Sequence, residues 1–207
     1  MGNTRQRILA EATRQLTEVG YPAFTVAAVR DALTLSSGSM FHAFASKAAL
    51  AAAVYVEGMA AYQRVAVAAI AAAPDAEGAL RAFIAAHLAW IEDHQPLARY
   101  LFDTLPDDVA EHAQAPLAAH NAAFFAALEG LFRKLERAGL CGKLEHAVAH
   151  VLCIGPAHEY GRLWTRGSAA QPPRELTRAF QDAALAALVT TVTTSARRRP
   201  RKQEVRS

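Results

Sequence analysis

Between Leu35 and Phe44 the chain sets Ser36, Ser37, Gly38, Ser39 and His42 close together. Serine hydroxyls and helix N-terminal amides donate to phosphate oxygens. Small residues let a helix backbone approach the walls of a DNA major groove, about 12 Å wide. This is chemistry for gripping duplex nucleic acid, not for breaking bonds. A second set, Phe83, His87, Trp90, Phe102, Phe124 and His158, mixes aromatic rings with imidazoles. An apolar cavity with a few polar groups is a small-molecule site. An aromatic core would draw on the same residue types, and both readings stand. His146 and His150 are four apart, but with no third ligand they read as solvated, so neither a metal nor a cofactor is expected. Glu-x-x-His pairs, a P-loop, GxGxxG and GxSxG are all missing from the sequence, which leaves an enzyme reading without a motif.

The elements that must position these residues are helices. Ala-rich segments with helical periodicity run nearly end to end, interrupted by Pro and Gly. The expected fold is all-α with about nine helices, near 4–19, 26–33, 37–43, 47–72, 76–94, 96–104, 107–138, 143–166 and 173–194. Asn3 is the expected N-cap of the first, and Gly20 its stop. Ile8, Ala12, Leu16 and Val19 form its apolar stripe. Val26, Val29, Ala32 and Leu33 give the second helix a buried face, and Leu35, Met40, Phe41 and Phe44 supply the facing side. Pro116 would split the seventh helix, and Gly155-Pro156 would kink the eighth. Three short N-terminal helices, two of them joined by about three residues, make a tri-helical helix-turn-helix.

Charge supports a polyanion at one end. Residues 1–50 carry five Lys/Arg against three Asp/Glu, 51–195 carry 11 against 15, and 196–207 carry six against one. The last stretch reads as a disordered basic tail, either solvated with no role of its own or adding non-specific attraction. Cys141 and Cys153 lack a CxxC spacing or a secretory signal, which suggests a reducing cytoplasm. Apolar runs such as Val65–Ala73 fall short of a membrane span.

Thr4–Leu50 resembles the DNA-binding domain of the TetR family. The resemblance rests on Arg7-Ile8-Leu9, Ala12, Gly20-Tyr21, Phe24-Thr25-Val26, Val29, Leu35-Ser36, Gly38-Ser39-Met40-Phe41-His42, Phe44, Ser46-Lys47 and Leu50. It implies that Thr25 caps the second helix near a phosphate, that residues 36–42 form the recognition helix, and that Lys47 meets a phosphate at the start of the fourth. Phe41 stands where the family usually has Tyr, and without that hydroxyl it is expected to pack. Arg30 replaces a usual Ala, Ala48 an acidic residue, and Thr34 the turn Gly, which puts Thr34 at positive φ.

The resemblance also implies a domain order: a DNA-binding domain over 1–47, an effector-binding and dimerisation domain over 48–195, and the tail over 196–207. The expected function is a transcriptional repressor on a palindromic operator, released by an unidentified small molecule. The homodimer would form through the last two helices, with Leu176, Phe180, Ala184, Leu188 and Val192 as its stripe. A DNA-organising or protein-binding member of the same fold, with no effector, is the alternative.

Overall fold

The computed structural model describes the backbone of residues 2–197 and the side chains of 4–192. The order is α1 (Gly2–Ala23), α2 (Val26–Ala32), α3 (Ser37–Ala43), α4 (Lys47–Ala72), α5 (Ala76–Asp93), α6 (Gln95–Phe102), α7 (Asp107–Arg137), α8 (His146–Thr165), a 3-10 turn (Pro173–Leu176) and α9 (Thr177–Arg197). No strand occurs among the described residues. The expected all-α layout is observed. Residues 198–207, most of the expected basic tail, lie outside the described residues.

Helix starts follow local chemistry. Thr25, Ser36, Ser46 and Asp75 are extended, and each side chain accepts a hydrogen bond from the backbone N–H three residues on. α1 begins at Gly2, so Asn3 lies inside it and not at its cap. Gly20, at φ 74° and ψ 163°, ends the helix proper, and one further turn reaches Ala23. Pro116 does not split α7, and α8 stays helical through Pro156. Both prolines are exposed, so water can take the carbonyl that each leaves without its N–H.

Two apolar clusters share α4. The first joins Ile8, Ala12 and Leu16 of α1, Val29 of α2 and Met40 of α3 to Leu50, Ala51 and Val54 of α4 and Val109 and Ala113 of α7. Val19 and Ala32, expected in that core, are exposed: Val19 is the last residue before the break at Gly20 and Ala32 the last of α2, so each stripe ends one position short. The second cluster packs α4, α5, α7, α8 and α9 around Phe83, Ile84, Leu88, Ile91 and Leu135. Ala184 and Leu188 are buried in that same cluster, with Phe180 half-buried against it. The α9 stripe expected at a dimer face therefore packs inside the subunit, against α5 and α8. No single helix among the described residues is long and apolar enough to cross a membrane.

Candidate functional site

The turn between α2 and α3 sets the exposed serine surface. The Thr34 N–H donates to Asp31 O and the Leu35 N–H to Arg30 O, at 3.1 and 3.0 Å. Those are the two bonds of a Schellman ending, which puts its central residue at positive φ. Thr34 has φ 53°, the value expected from its place in the sequence, and is the one non-glycine residue above zero among the described residues. α7 and α8 close with the same bond pair, and glycine holds that position at Gly139 and Gly167.

α3 stands on the surface with Ser36, Ser37, Gly38, Ser39, Phe41 and His42 exposed and only Met40 buried. Ser36 and Ser39 are tied together: the Ser36 Oγ accepts from the Ser39 N–H at 3.1 Å and lies 2.9 Å from its hydroxyl. Arg30 donates to the Ser37 Oγ at 3.3 Å while paired with Asp31. A guanidinium thus sits beside the first turn of α3, which the sequence marked only as an unusual residue. Phe41 does not pack; it is 61% exposed. In a two-turn helix Met40 and Phe44 take the inward positions, and Phe41 falls about 100° round from Met40. Gly38 has no internal reason to be glycine, since an added Cβ would meet nothing nearer than the Ser36 Oγ at 3.9 Å. Lys47 donates to the Pro22 carbonyl at 3.3 Å and lies 4.5 Å from the centre of the Tyr21 ring. An ammonium has three N–H groups, so two remain for a phosphate. Thr25 caps α2 from an exposed position, as expected.

The second residue set also comes together. Phe83, His87, Trp90, Phe102, Phe124 and His158 close on Tyr62 of α4, a residue that the sequence reading passed over. Tyr62 lies 5.4 Å from His87 and from Trp90, 5.5 Å from Phe102 and 6.2 Å from Phe124, between ring centres. His158 stacks on His87 at 5.5 Å and meets Phe102 edge-on at 4.8 Å. Phe83 joins through Phe124 at 6.3 Å. The rings touch one another directly. The only sequence signal for Tyr62 is a polar-tipped ring on a mostly apolar helix, a feature that Tyr55 of the same helix shares.

Burial governs the charge of this cluster. The His87 Nδ1 lies 2.8 Å from the Tyr62 hydroxyl, and its Nε2 is buried with no hydrogen-bond partner. Desolvation, with His158 and His150 adding repulsion, pushes the imidazole down to about 3. Burial lowers His150 and His158 as well. These are neutral imidazoles at physiological pH.

A tri-helical unit with a capped, outward recognition helix, joined to a larger helical bundle, defines a helix-turn-helix DNA-binding protein. Residues 8–54 match the family model described as bacterial regulatory proteins, tetR family. Residues 8–54 of the chain thus form a DNA-binding domain of the tetR-family type. No curated protein matches the sequence significantly. Among solved structures, a tetR-family regulatory protein from Rhodococcus is similar at 22% identity and TM-score 0.65, over 89% of this chain and 96% of its own. PfmR, a TetR family transcriptional regulator from Thermus thermophilus, is similar at 24% identity and TM-score 0.60, over 87% and 97%. The transcriptional regulator FadR from Bacillus subtilis, in complex with stearoyl-CoA, gives 14% identity and TM-score 0.73, over 88% and 98%. At these identities the likeness is one of fold.

Proposed function

We propose that this protein is a transcriptional repressor that binds a palindromic operator as a homodimer and is released by a small molecule. The observation that carries the DNA reading is Gly38. A glycine inside a helix costs about 0.5–1 kcal/mol relative to Ala, and nothing within the subunit crowds it. Close approach of an outside backbone, the wall of a major groove, accounts for it. In this reading Ser37, Ser39 and His42 face base edges and sugars. Thr25, Ser36 and Lys47 meet phosphates, with Arg30 beside them. Phe41 lends an apolar surface suited to a thymine methyl.

The dimer forms through the outward faces of α8 and α9. Val148 and Leu163 of α8 and Val189 of α9 are large apolar side chains left exposed, and Ala179, Ala183 and Ala186 form a flat exposed row on α9. Self-complementary faces of this kind suit a two-fold dimer. The six clustered aromatic and imidazole residues are the proposed effector contacts, and FadR from Bacillus subtilis, solved with stearoyl-CoA, is a fold relative holding such a molecule. A second reading, DNA binding without an effector, draws on the direct ring packing around Tyr62.

Selection of genomic fragments by the purified protein, followed by sequencing, tests the function. The expected product is a palindrome with half-sites about one helical turn, ~34–36 Å, or more apart. Recovery of unrelated fragments or of RNA overturns it. A Val148→Glu, Val189→Glu variant should sediment as a monomer, and a clean dimer would displace this interface.

A further inference from the structure

Arg30 belongs to α2, yet it is tied to α3. Its guanidinium donates to the Ser37 Oγ at 3.3 Å, across the turn at Thr34. Asp31 holds its other edge: the carboxylate Oδ1 accepts from Nε at 2.8 Å and lies 2.6 Å from Nη2. The backbone is fixed as well, because the Arg30 carbonyl accepts the Leu35 N–H that closes the turn. Arg30 is half-buried and Ser37 exposed, next to the open position at Gly38.

Donors dominate this corner of the surface. A guanidinium carries five N–H groups. Two face Asp31 and one faces Ser37, which leaves two free. The Ser37 hydroxyl has one proton and two lone pairs. Arg30 occupies one lone pair, and a hydroxyl that accepts becomes a stronger donor. A donor brought up to Ser37 would also meet the N–H groups of Arg30, like against like. Charge argues separately. Asp31 cancels the guanidinium at contact distance, so Arg30 adds little to the counterion release that a phosphate contact brings. Lys47, bound to a carbonyl and a ring, keeps its charge for that purpose.

In the major groove guanine shows two acceptors, N7 and O6, and no donor. Adenine sets a donor beside its acceptor, thymine a methyl beside its acceptor, and cytosine offers a donor. The two guanine acceptors lie about 3 Å apart on one edge, and the Arg30 Nη1 and Ser37 Oγ are 3.3 Å apart.

We propose that Arg30 and Ser37 together read one guanine in each half-site, the Ser37 hydroxyl donating to one acceptor and a free Arg30 N–H to the other. Arg30 is then a specificity-determining residue and not a grip on the DNA backbone. The proposal rests on the DNA reading above and adds to it the base that this corner accepts.

The test begins with selection of random duplexes by the full-length protein, as wild type, Arg30→Ala and Ser37→Ala. The wild type should require one guanine at the same place in both half-sites. Both variants should accept other bases there and keep the remaining positions. A duplex with 7-deazaguanine at that place, which lacks N7, should bind the wild type about fivefold or more weakly. Arg30→Ala should bind it as well as it binds guanine. The slope of affinity against salt should stay unchanged for Arg30→Ala, while Lys47→Ala lowers it by about one. Arg30→Met, which keeps the aliphatic stem, serves if Arg30→Ala lowers the thermal midpoint. A merely structural role would weaken all sequences alike and leave the 7-deazaguanine penalty in place, and that result overturns the proposal. So does a guanine retained by both variants. A salt slope that falls by about one for Arg30→Ala also overturns it, by making Arg30 a phosphate contact. A palindrome selected by the wild type without a fixed guanine defeats this proposal alone. Selection of no sequence by any of the three proteins defeats the DNA reading beneath it.

Discussion

His87 and Tyr62 face each other in the centre of the larger core, with the imidazole Nδ1 2.8 Å from the phenol oxygen. The pair belongs to α5 and α4, and both residues are buried. Burial holds His87 neutral, down to about 3 from the usual 6.5. The unfolded chain takes up this proton near pH 6.5 and the folded chain does not. Stability from this group is therefore fully present above about pH 6.5 and is lost as pH falls toward 3. His150 and His158, lowered in the same direction, add to that loss.

Denaturant midpoints measured at pH 7.5, 5.5 and 4.5 check this. Each pH unit below 6.5 should cost about 1.4 kcal/mol for each histidine held neutral. His87→Phe should flatten the slope by about one histidine's share. Equal slopes for the two proteins would mean that His87 protonates freely in the folded state. The window stops at pH 4.5 because Asp93, lowered by Arg174, and Asp103, lowered against its burial by the Thr104 N–H and then by Arg166 and Arg162, lose their own stabilisation only in stronger acid.

Thr34→Gly should stabilise the N-terminal unit. A β-branched residue at φ 53° is strained by about 1–3 kcal/mol. Glycine removes that strain and adds about 0.4–1 kcal/mol of unfolded-chain entropy. The net gain is about 0–2 kcal/mol from the same terms. Urea unfolding of the two proteins reads it directly, and a lower midpoint for the glycine variant would contradict the Schellman geometry.

Gly38→Ala should separate folding from binding. The added methyl meets no neighbour closer than 3.9 Å, so α3 gains about 0.5–1 kcal/mol of stability. The same methyl intrudes where DNA must approach, and operator affinity should fall about tenfold, or ~1.4 kcal/mol. Thermal unfolding and operator titration on one preparation give both numbers. Unchanged affinity would remove Gly38 from the interface.

Gly142→Ala should destabilise the larger bundle without touching DNA contacts. An added Cβ would lie 2.7 Å from the backbone oxygen of Thr191, too close for any carbon. The Gly142 N–H also donates to the Thr191 hydroxyl at 2.8 Å, so α9 cannot slide away freely. Overpacking of this kind costs about 1–3 kcal/mol. An unshifted urea midpoint would show that α9 yields at this contact.

What the chain determines by itself is local and backbone-centred. Thr25, Ser36 and Ser46 accept from the third N–H beyond them, so their residue types alone announce where α2, α3 and α4 begin. Gly20 and the position of Thr34 mark where α1 and α2 stop, and the order of short helices around Gly38 spells a helix-turn-helix. The tertiary structure decided which faces these helices show. Phe41 was expected inside and stands outside, because Met40 and Phe44 fill the two inward positions that two turns allow. Leu188 and Ala184 were expected at a partner and are buried against their own subunit, because α5 and α8 pack on that side of α9. Six aromatic and imidazole residues from four helices gather around Tyr62, four of them in direct ring contact with it, and no spacing in the sequence connects it to them. A helix's periodicity records that it has an apolar face. It does not record which remote segment covers that face, since that is set by contacts between residues far apart along the chain.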